Sequence, residues 1–169
     1  HIVYLANTSG LKIGITRATQ VPTRWIDQGA IQALPILKVS NRYLSGLAEV
    51  LFKTHVADKT NWRKMLMNDV EDLHLIQERD RLLGLVGSGL TALLKEHGPQ
   101  AIQRIEHPEL TQIQYPVTAY PTKVSSFNLD KNPEVSGILM GIKGQYLILD
   151  DGVINLRKYT AYHLEIFVA

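Results

Sequence analysis

The 169-residue chain contains no cysteine. That excludes disulfides, and it excludes a thiolate zinc site built within this chain. The absence fits a reducing compartment, and the cytoplasm is the expected location. No apolar run approaches the roughly 18 residues that a membrane span requires. No secretory leader is visible, so no membrane association is expected. The chain starts at His1 without methionine, and it reads as a fragment of something longer. Acidic residues are scarce in the first part. Residues 1–68 hold nine Lys/Arg against three Asp/Glu, a net +6. Residues 69–169 hold nine against thirteen, a net −4. A basic part beside an acidic part points to a polyanion-facing surface on the first. The alternative is the few-charge difference that small domains commonly show.

What is present is ordinary for a soluble globular chain, with 45% hydrophobic residues. A chain of this length buries about 70% of its unfolded surface and needs no staples to fold. Residues 2–30 carry the clearest pattern. Ile2 to Leu5 are apolar and partly β-branched, and Asn7-Thr8-Ser9-Gly10 is a turn cluster. Leu11, Ile13 and Ile15 alternate with Lys12, Gly14 and Thr16, which is the period of a half-buried strand. Pro22 suits the first turn of a helix and Gly29 its end. Ala30 to Val39 is mostly apolar, and Pro35 inside it argues for an edge strand or a bulge. The natural product is a three-stranded antiparallel sheet.

A helix follows from about Tyr43 to Val56, capped by Ser40 or Asn41. Its Leu44, Leu47, Ala48, Leu51 and His55 are spaced to face the sheet. Asp58 and Thr60 offer a second cap, before a short helix over Trp62 to Met67. Residues 69–97 read as helical, interrupted by Gly84, Gly87 and Gly89, with a bend or a close helix contact expected near Gly87. Gly98-Pro99 ends that stretch, and Ala101 to Glu106 reads as one more short helix. From Ile113 the chain turns to β structure. Strands are expected over Ser136 to Leu149 and Val153 to Val168, with Asp150-Asp151-Gly152 as a hairpin turn. The fold class is therefore α+β. Residues 1–67 form a sheet flanked by helices, 68–112 a helical connector, and 113–169 a small antiparallel sheet or partly closed barrel.

Residues 1–67 resemble the GIY-YIG nuclease superfamily. Ile2-Val3-Tyr4 stands where the first tripeptide would be, and Lys12-Ile13-Gly14 where the second would be. Thr16 follows, then an arginine on the next helix, Arg24. The run Leu47 to Phe52 resembles the helix that carries the metal-binding glutamate, here Glu49. The first tripeptide keeps only its tyrosine, and Lys12 replaces the second tyrosine. A phage-associated branch of the superfamily carries Lys-Ile-Gly at this point. The whole chain also resembles an uncharacterised bacterial family in which a cysteine-rich segment of zinc-binding type precedes this region.

The resemblance implies a nuclease that hydrolyses a phosphodiester in DNA or RNA with one Mg²⁺ or Mn²⁺. Glu49 would hold the metal; its alternative is a surface glutamate paired with Lys53. Arg24, with Arg17, would grip the phosphate through guanidinium geometry, or both are solvated arginines. Tyr4 would orient or deprotonate water, or it is strand packing with a satisfied hydroxyl. Lys12 would contact phosphate, because an ammonium serves as a base only if its pKa falls by several units. Near the C-terminus, Lys143, Arg157 and Lys158 stand beside tyrosines, a composition suited to gripping a strand and stacking a base. An ordinary solvated sheet face reads the same way.

Trp25 and Trp62 are candidate stacking residues, and packing is the competing role. The histidines show no metal-ligand spacing, with His55 expected at the core edge. The Gly84 to Gly89 run lacks the Lys-Ser/Thr ending of a phosphate loop. Two further function classes stay open. One is a nucleic-acid-binding protein without catalysis, and the other an interaction module whose basic face takes an acidic partner. Oligomeric state is not legible.

Overall fold

A computed structural model describes residues 1–57 and 59–168. The first hairpin joins β1 (Ile2–Asn7) to β2 (Leu11–Thr16) in antiparallel register, with Tyr4 opposite Gly14 and Ala6 opposite Lys12. β3 (Gln32–Val39) pairs antiparallel with the other side of β1. Its register shifts where Tyr4 meets Pro35. Pro35 is therefore accommodated by a bulge in an interior strand, the only place a residue without an N–H fits there.

The sheet is larger than the expected three strands. β4 (Ile102–Arg104) and β5 (Thr111–Gln112) both pair antiparallel with the far side of β3. The order is β2-β1-β3-β4, with β5 beside β4 on β3. The short helix expected over Ala101 to Glu106 is thus corrected to an edge strand. Its backbone satisfies the open side of β3, a demand that outweighs local propensity in a three-residue element.

Side chains alternate across the strands, so the sheet has two differently covered faces. Val3, Leu5 and Ile13 point to one face and form the main core with Leu34, Ile36 and Leu37. Over that face lie α2 (Arg42–Lys53), α4 (Leu75–Leu85) and α5 (Gly87–His97). Asn41 caps α2, its side chain accepting from Leu44 N at 2.9 Å. α2 buries Leu44, Ala48 and Phe52 and stops at Lys53. His55 lies beyond the helix and is exposed, which corrects its expected place at the core edge. The expected close helix contact is found at Gly89, where a Cβ would come within 2.8 Å of Leu51.

The opposite face carries Tyr4, Ala6 and Ala33, covered by Trp25 and Ala30. Trp25 belongs to the short helix α1 (Thr23–Asp27). α3 (Trp62–Leu66) is capped by Asn61, whose side chain accepts from Lys64 N at 3.3 Å. Of the two residues expected to cap it, Thr60 bonds elsewhere, and Asp58 lies outside the described residues.

The second sheet consists of β6 (Leu139–Lys143), β7 (Tyr146–Leu149) and β8 (Val153–Asn155), all antiparallel. The Asp150-Asp151-Gly152 turn links β7 to β8 as expected, with Leu149 N donating to Gly152 O at 2.8 Å. The sheet is open, not a closed barrel. Ile148 and Val153 pack against Met65 and Leu66 of α3, so this sheet completes its core with residues from the first part of the chain. The strand expected to run to Val168 ends at Asn155. There the Asn155 side chain accepts from Arg157 N at 3.0 Å and starts a 3-10 turn over Leu156–Tyr159. No helix among the described residues is long and apolar enough to cross a membrane.

Candidate functional site

Tyr4 organises the face under α1. Its ring lies flat across β2, over its register partner Gly14. A Cβ at Gly14 would fall 2.6 Å from Tyr4 Cζ and Oη. Glycine is required there because any side chain would occupy the space of the phenol. The ring packs edge-on to Trp25 with centroids 5.8 Å apart. The Tyr4 hydroxyl accepts from Gln28 Nε2 at 2.8 Å.

Burial pushes the Tyr4 phenol above its ordinary range, while the Gln28 hydrogen bond and the charge of Arg24 pull the other way. Glu49 acts on the same hydroxyl and raises it further. The balance keeps Tyr4 protonated at neutral pH, so it is a hydrogen-bonding group and not a base. These interactions also fix the geometry of the site. A guanidinium on α1 and a carboxylate on α2 both lie within electrostatic reach of one tyrosine hydroxyl. Arg24 is half-buried. The Glu49 side chain is 18% exposed and pairs with Lys53 at 3.5 Å, the local pair that its i,i+4 spacing allows.

Two polar atoms under α1 are buried without a hydrogen-bond partner among the described residues. They are Trp25 Nε1 and Gln28 Oε1. A buried donor or acceptor left unpaired is costly, which makes this face receptive to a water or an oxygen ligand.

The other expected residues lie elsewhere. Lys12 projects from the same face of β2 as Gly14, but it is only 8% exposed. Its Nζ donates to Thr60 Oγ1 at 3.4 Å, and Thr60 in turn bonds the Thr8 hydroxyl at 2.9 Å. The backbone follows, with Ile13 N donating to Ala57 O at 3.1 Å. Lys12 thus faces the segment after α2. Arg17 is exposed and lines a small pocket of about 230 Å³ with Thr16 and Arg42.

Lys143 was expected on an exposed sheet face and is fully buried. Its Nζ donates to Asn68 Oδ1 at 2.7 Å and sits 4.9 Å from the ring centre of Tyr120 and 5.5 Å from that of Tyr115. Burial lowers its pKa from 10.5 to about 8. The ammonium has no route to a ligand, which corrects its placement on a nucleic-acid-binding surface. Arg157 and Lys158 are exposed. Arg157 lines a cleft of about 370 Å³ together with Asp27, Gln145 and Tyr146, and Lys158 lies over the Tyr159 ring.

Arg24 of α1 and Glu49 of α2, helices over opposite faces of the first sheet, both act electrostatically on the Tyr4 hydroxyl, while Lys12 bonds Thr60 and Lys143 bonds Asn68. Gln28 and Asp27 were not expected. Gln28 was legible in principle, since it follows Arg24 by four residues and falls on the same helical face. Asp27 carried no such sign. No group of three or more His, Asp or Glu with metal-binding geometry exists among the described residues.

No curated protein and no solved structure matches the chain. The family described as "Protein of unknown function (DUF2797)" matches residues 1–164, nearly the full length, and the chain belongs to that DUF2797 family.

Proposed function

We propose that the region around the Tyr4 hydroxyl, with Arg24 and Glu49 in its electrostatic reach, hydrolyses a phosphodiester in nucleic acid, in the manner that the resemblance to GIY-YIG nucleases implies. The observation that carries this reading is that the charges of Arg24 on α1 and Glu49 on α2 both act on the Tyr4 hydroxyl. The basic charge of residues 1–68 supports a polyanionic substrate.

A divalent cation is part of the reading, and the donor set fits one kind. A single half-buried carboxylate is the protein contribution that Mg²⁺ or Mn²⁺ commonly receives, the rest coming from water and substrate phosphate. Glu49 would hold it. When bound, the ion supplies charge stabilisation at the phosphate. Arg24 binds the non-bridging phosphate oxygens in a bidentate fork. In the reaction, the water oxygen bonds to phosphorus and gives up a proton, the bond to the leaving oxygen breaks, and the leaving oxygen takes up a proton, so none is gained or lost. Tyr4 is fully buried. It works as a positioning residue, holding Gln28 and the Arg24 side of the site through its hydroxyl. Lys12, turned toward Thr60, holds the segment after α2 against β2.

The non-catalytic nucleic-acid-binding reading has one observation in its favour, the burial of both Tyr4 and Lys12. The experiment that separates the two incubates the protein with a mixed panel of DNA and RNA, with Mg²⁺, with Mn²⁺ and with chelator. Hydrolysis that requires metal is expected. Arg24→Ala should weaken both binding and cleavage. Tyr4→Phe should lower kcat more than it raises KM, at a small cost in melting temperature from the unpaired Gln28 amide. Binding without hydrolysis under every condition would replace the enzyme with the binder.

A further inference from the structure

The 370 Å³ cleft lies where the end of α1 meets the second sheet. It falls within the roughly 300–1,000 Å³ range of small-ligand sites. Its position is set by the β6–β7 turn. A Cβ at Gly144 would come 3.0 Å from Asp27 O, so the turn lies directly against the helix end. Its walls combine three chemistries.

The first is aromatic. Tyr146 lines the cleft, and its ring is parallel to Trp62, at 3° with centroids 5.8 Å apart. Arg63 extends the stack, its guanidinium carbon 4.3 Å from the Trp62 ring centre. The second is apolar, from Ile142 and Leu156, which remain 43% and 37% exposed. Exposed aliphatic groups that converge on one cleft offer a flat solute a dry wall. The third is charge. Asp27 and Arg157 both line the cleft. Neither side chain has an ion pair or hydrogen bond among the described residues, so both are available to a ligand.

We propose that this cleft binds a nucleobase with an attached phosphate. The base stacks at the Tyr146 end of the aromatic column. Arg157 contacts the phosphate, and the Asp27 carboxylate accepts a hydrogen bond from an exocyclic amino group. A carboxylate at the base edge selects adenine, cytosine or guanine over uracil or thymine, which present no such donor. The binding goes beyond the hydrolytic reading and does not depend on it, because it needs neither Glu49 nor metal. The chemistry is shared by a free nucleotide and by one residue of a single strand.

The test titrates the full chain in chelator with AMP, UMP, adenosine and inorganic phosphate, and with single-stranded hexamers of dA and dT. Heat and tryptophan fluorescence are followed, since Trp62 is part of the stack. AMP should bind tighter than UMP, and tighter than adenosine or phosphate alone. Arg157→Ala should erase the advantage of AMP over adenosine. Asp27→Ala should erase the advantage of AMP over UMP. Tyr146→Ala should weaken all base-containing ligands about tenfold, the scale of one lost base–aromatic stack. Hexamers that bind tighter than AMP identify a strand as the occupant, and equal binding identifies the free nucleotide. Arg157 is exposed and outside the core, so its variant keeps the test valid if Tyr146→Ala does not fold. No saturable binding of nucleotide or hexamer, or binding unchanged by the Arg157 and Asp27 variants, overturns the proposal.

Discussion

Each sheet buries one strand lysine, and the two are accommodated differently. Lys12 of β2 keeps 8% exposure and reaches a threonine hydroxyl at the sheet rim. Lys143 of β6 keeps none and depends on Asn68 and two tyrosine rings. Both lysines point to the stretch between Ala57 and Asn68, which joins the two sheets. The first sheet has its main core on one face and a smaller apolar cluster around Tyr4 and Trp25 on the other. The second sheet shares its core with α3 and places an ammonium in the junction. In the first sheet, burial arranges groups around a site. In the second, burial fastens one part of the chain to another, at an electrostatic cost that Asn68 offsets.

Removing that offset should give the largest effect on stability. Asn68→Ala takes away the one hydrogen bond made by the Lys143 ammonium among the described residues. It also places alanine at a φ of 55°, a backbone conformation that suits asparagine better. A loss of about 3 kcal/mol in urea unfolding is expected, the scale of an uncompensated buried charge. Lys143→Met should cost far less or nothing, because it removes the charge together with its desolvation penalty. Equal losses in the two variants would show that packing, not charge, is what matters at the junction.

The next effect is on pH dependence. Burial lowers the Lys143 pKa from 10.5 to about 8. Below about pH 8 both folded and unfolded chains hold this proton, and the penalty is present in full. Between about 8 and 10.5 the unfolded chain holds it more often, so stability rises with pH across that window. Burial raises the Tyr4, Tyr115 and Tyr120 phenols. Their contribution is lost as pH rises past their unfolded value, near 10. The Lys143 rise is therefore cleanest from pH 8 to 9.5. Wild type should gain about 5 °C in Tm relative to Lys143→Met over that range. Parallel curves for the two proteins would contradict the buried ammonium. The smallest effect belongs to the other sheet. Lys12→Met, assayed in the same unfolding experiment, should lose about 1 kcal/mol, the ordinary scale of a single substitution.

The first hairpin was legible because its period-2 alternation and turn cluster agree. The Asn41 cap and the Asp150 to Gly152 turn were legible because each is a local rule with a local cause. β4 and β5 were not, since strands of two or three residues show no period and exist only because β3 has an open edge. The burial of Lys143 was not legible either. Its neighbours in sequence read like those of a solvated strand lysine, and the residues that enclose it, Asn68, Tyr115 and Tyr120, are distant along the chain. At the candidate site, Tyr4, Arg24 and Glu49 were each named from the sequence. Their relation through one hydroxyl, and the part played by Gln28, required the fold.

The central claim is that Glu49 serves a reaction and Arg24 serves binding. Glu49→Ala removes a carboxylate from a surface that keeps Arg24, so nucleic-acid affinity should hold or rise while metal-dependent cleavage disappears. The decisive measurement is the cleavage rate of folded Glu49→Ala beside wild type at saturating Mg²⁺, with affinity and melting temperature taken on the same samples. Loss of cleavage with affinity retained is expected. Cleavage by the folded variant at the wild-type rate would contradict it.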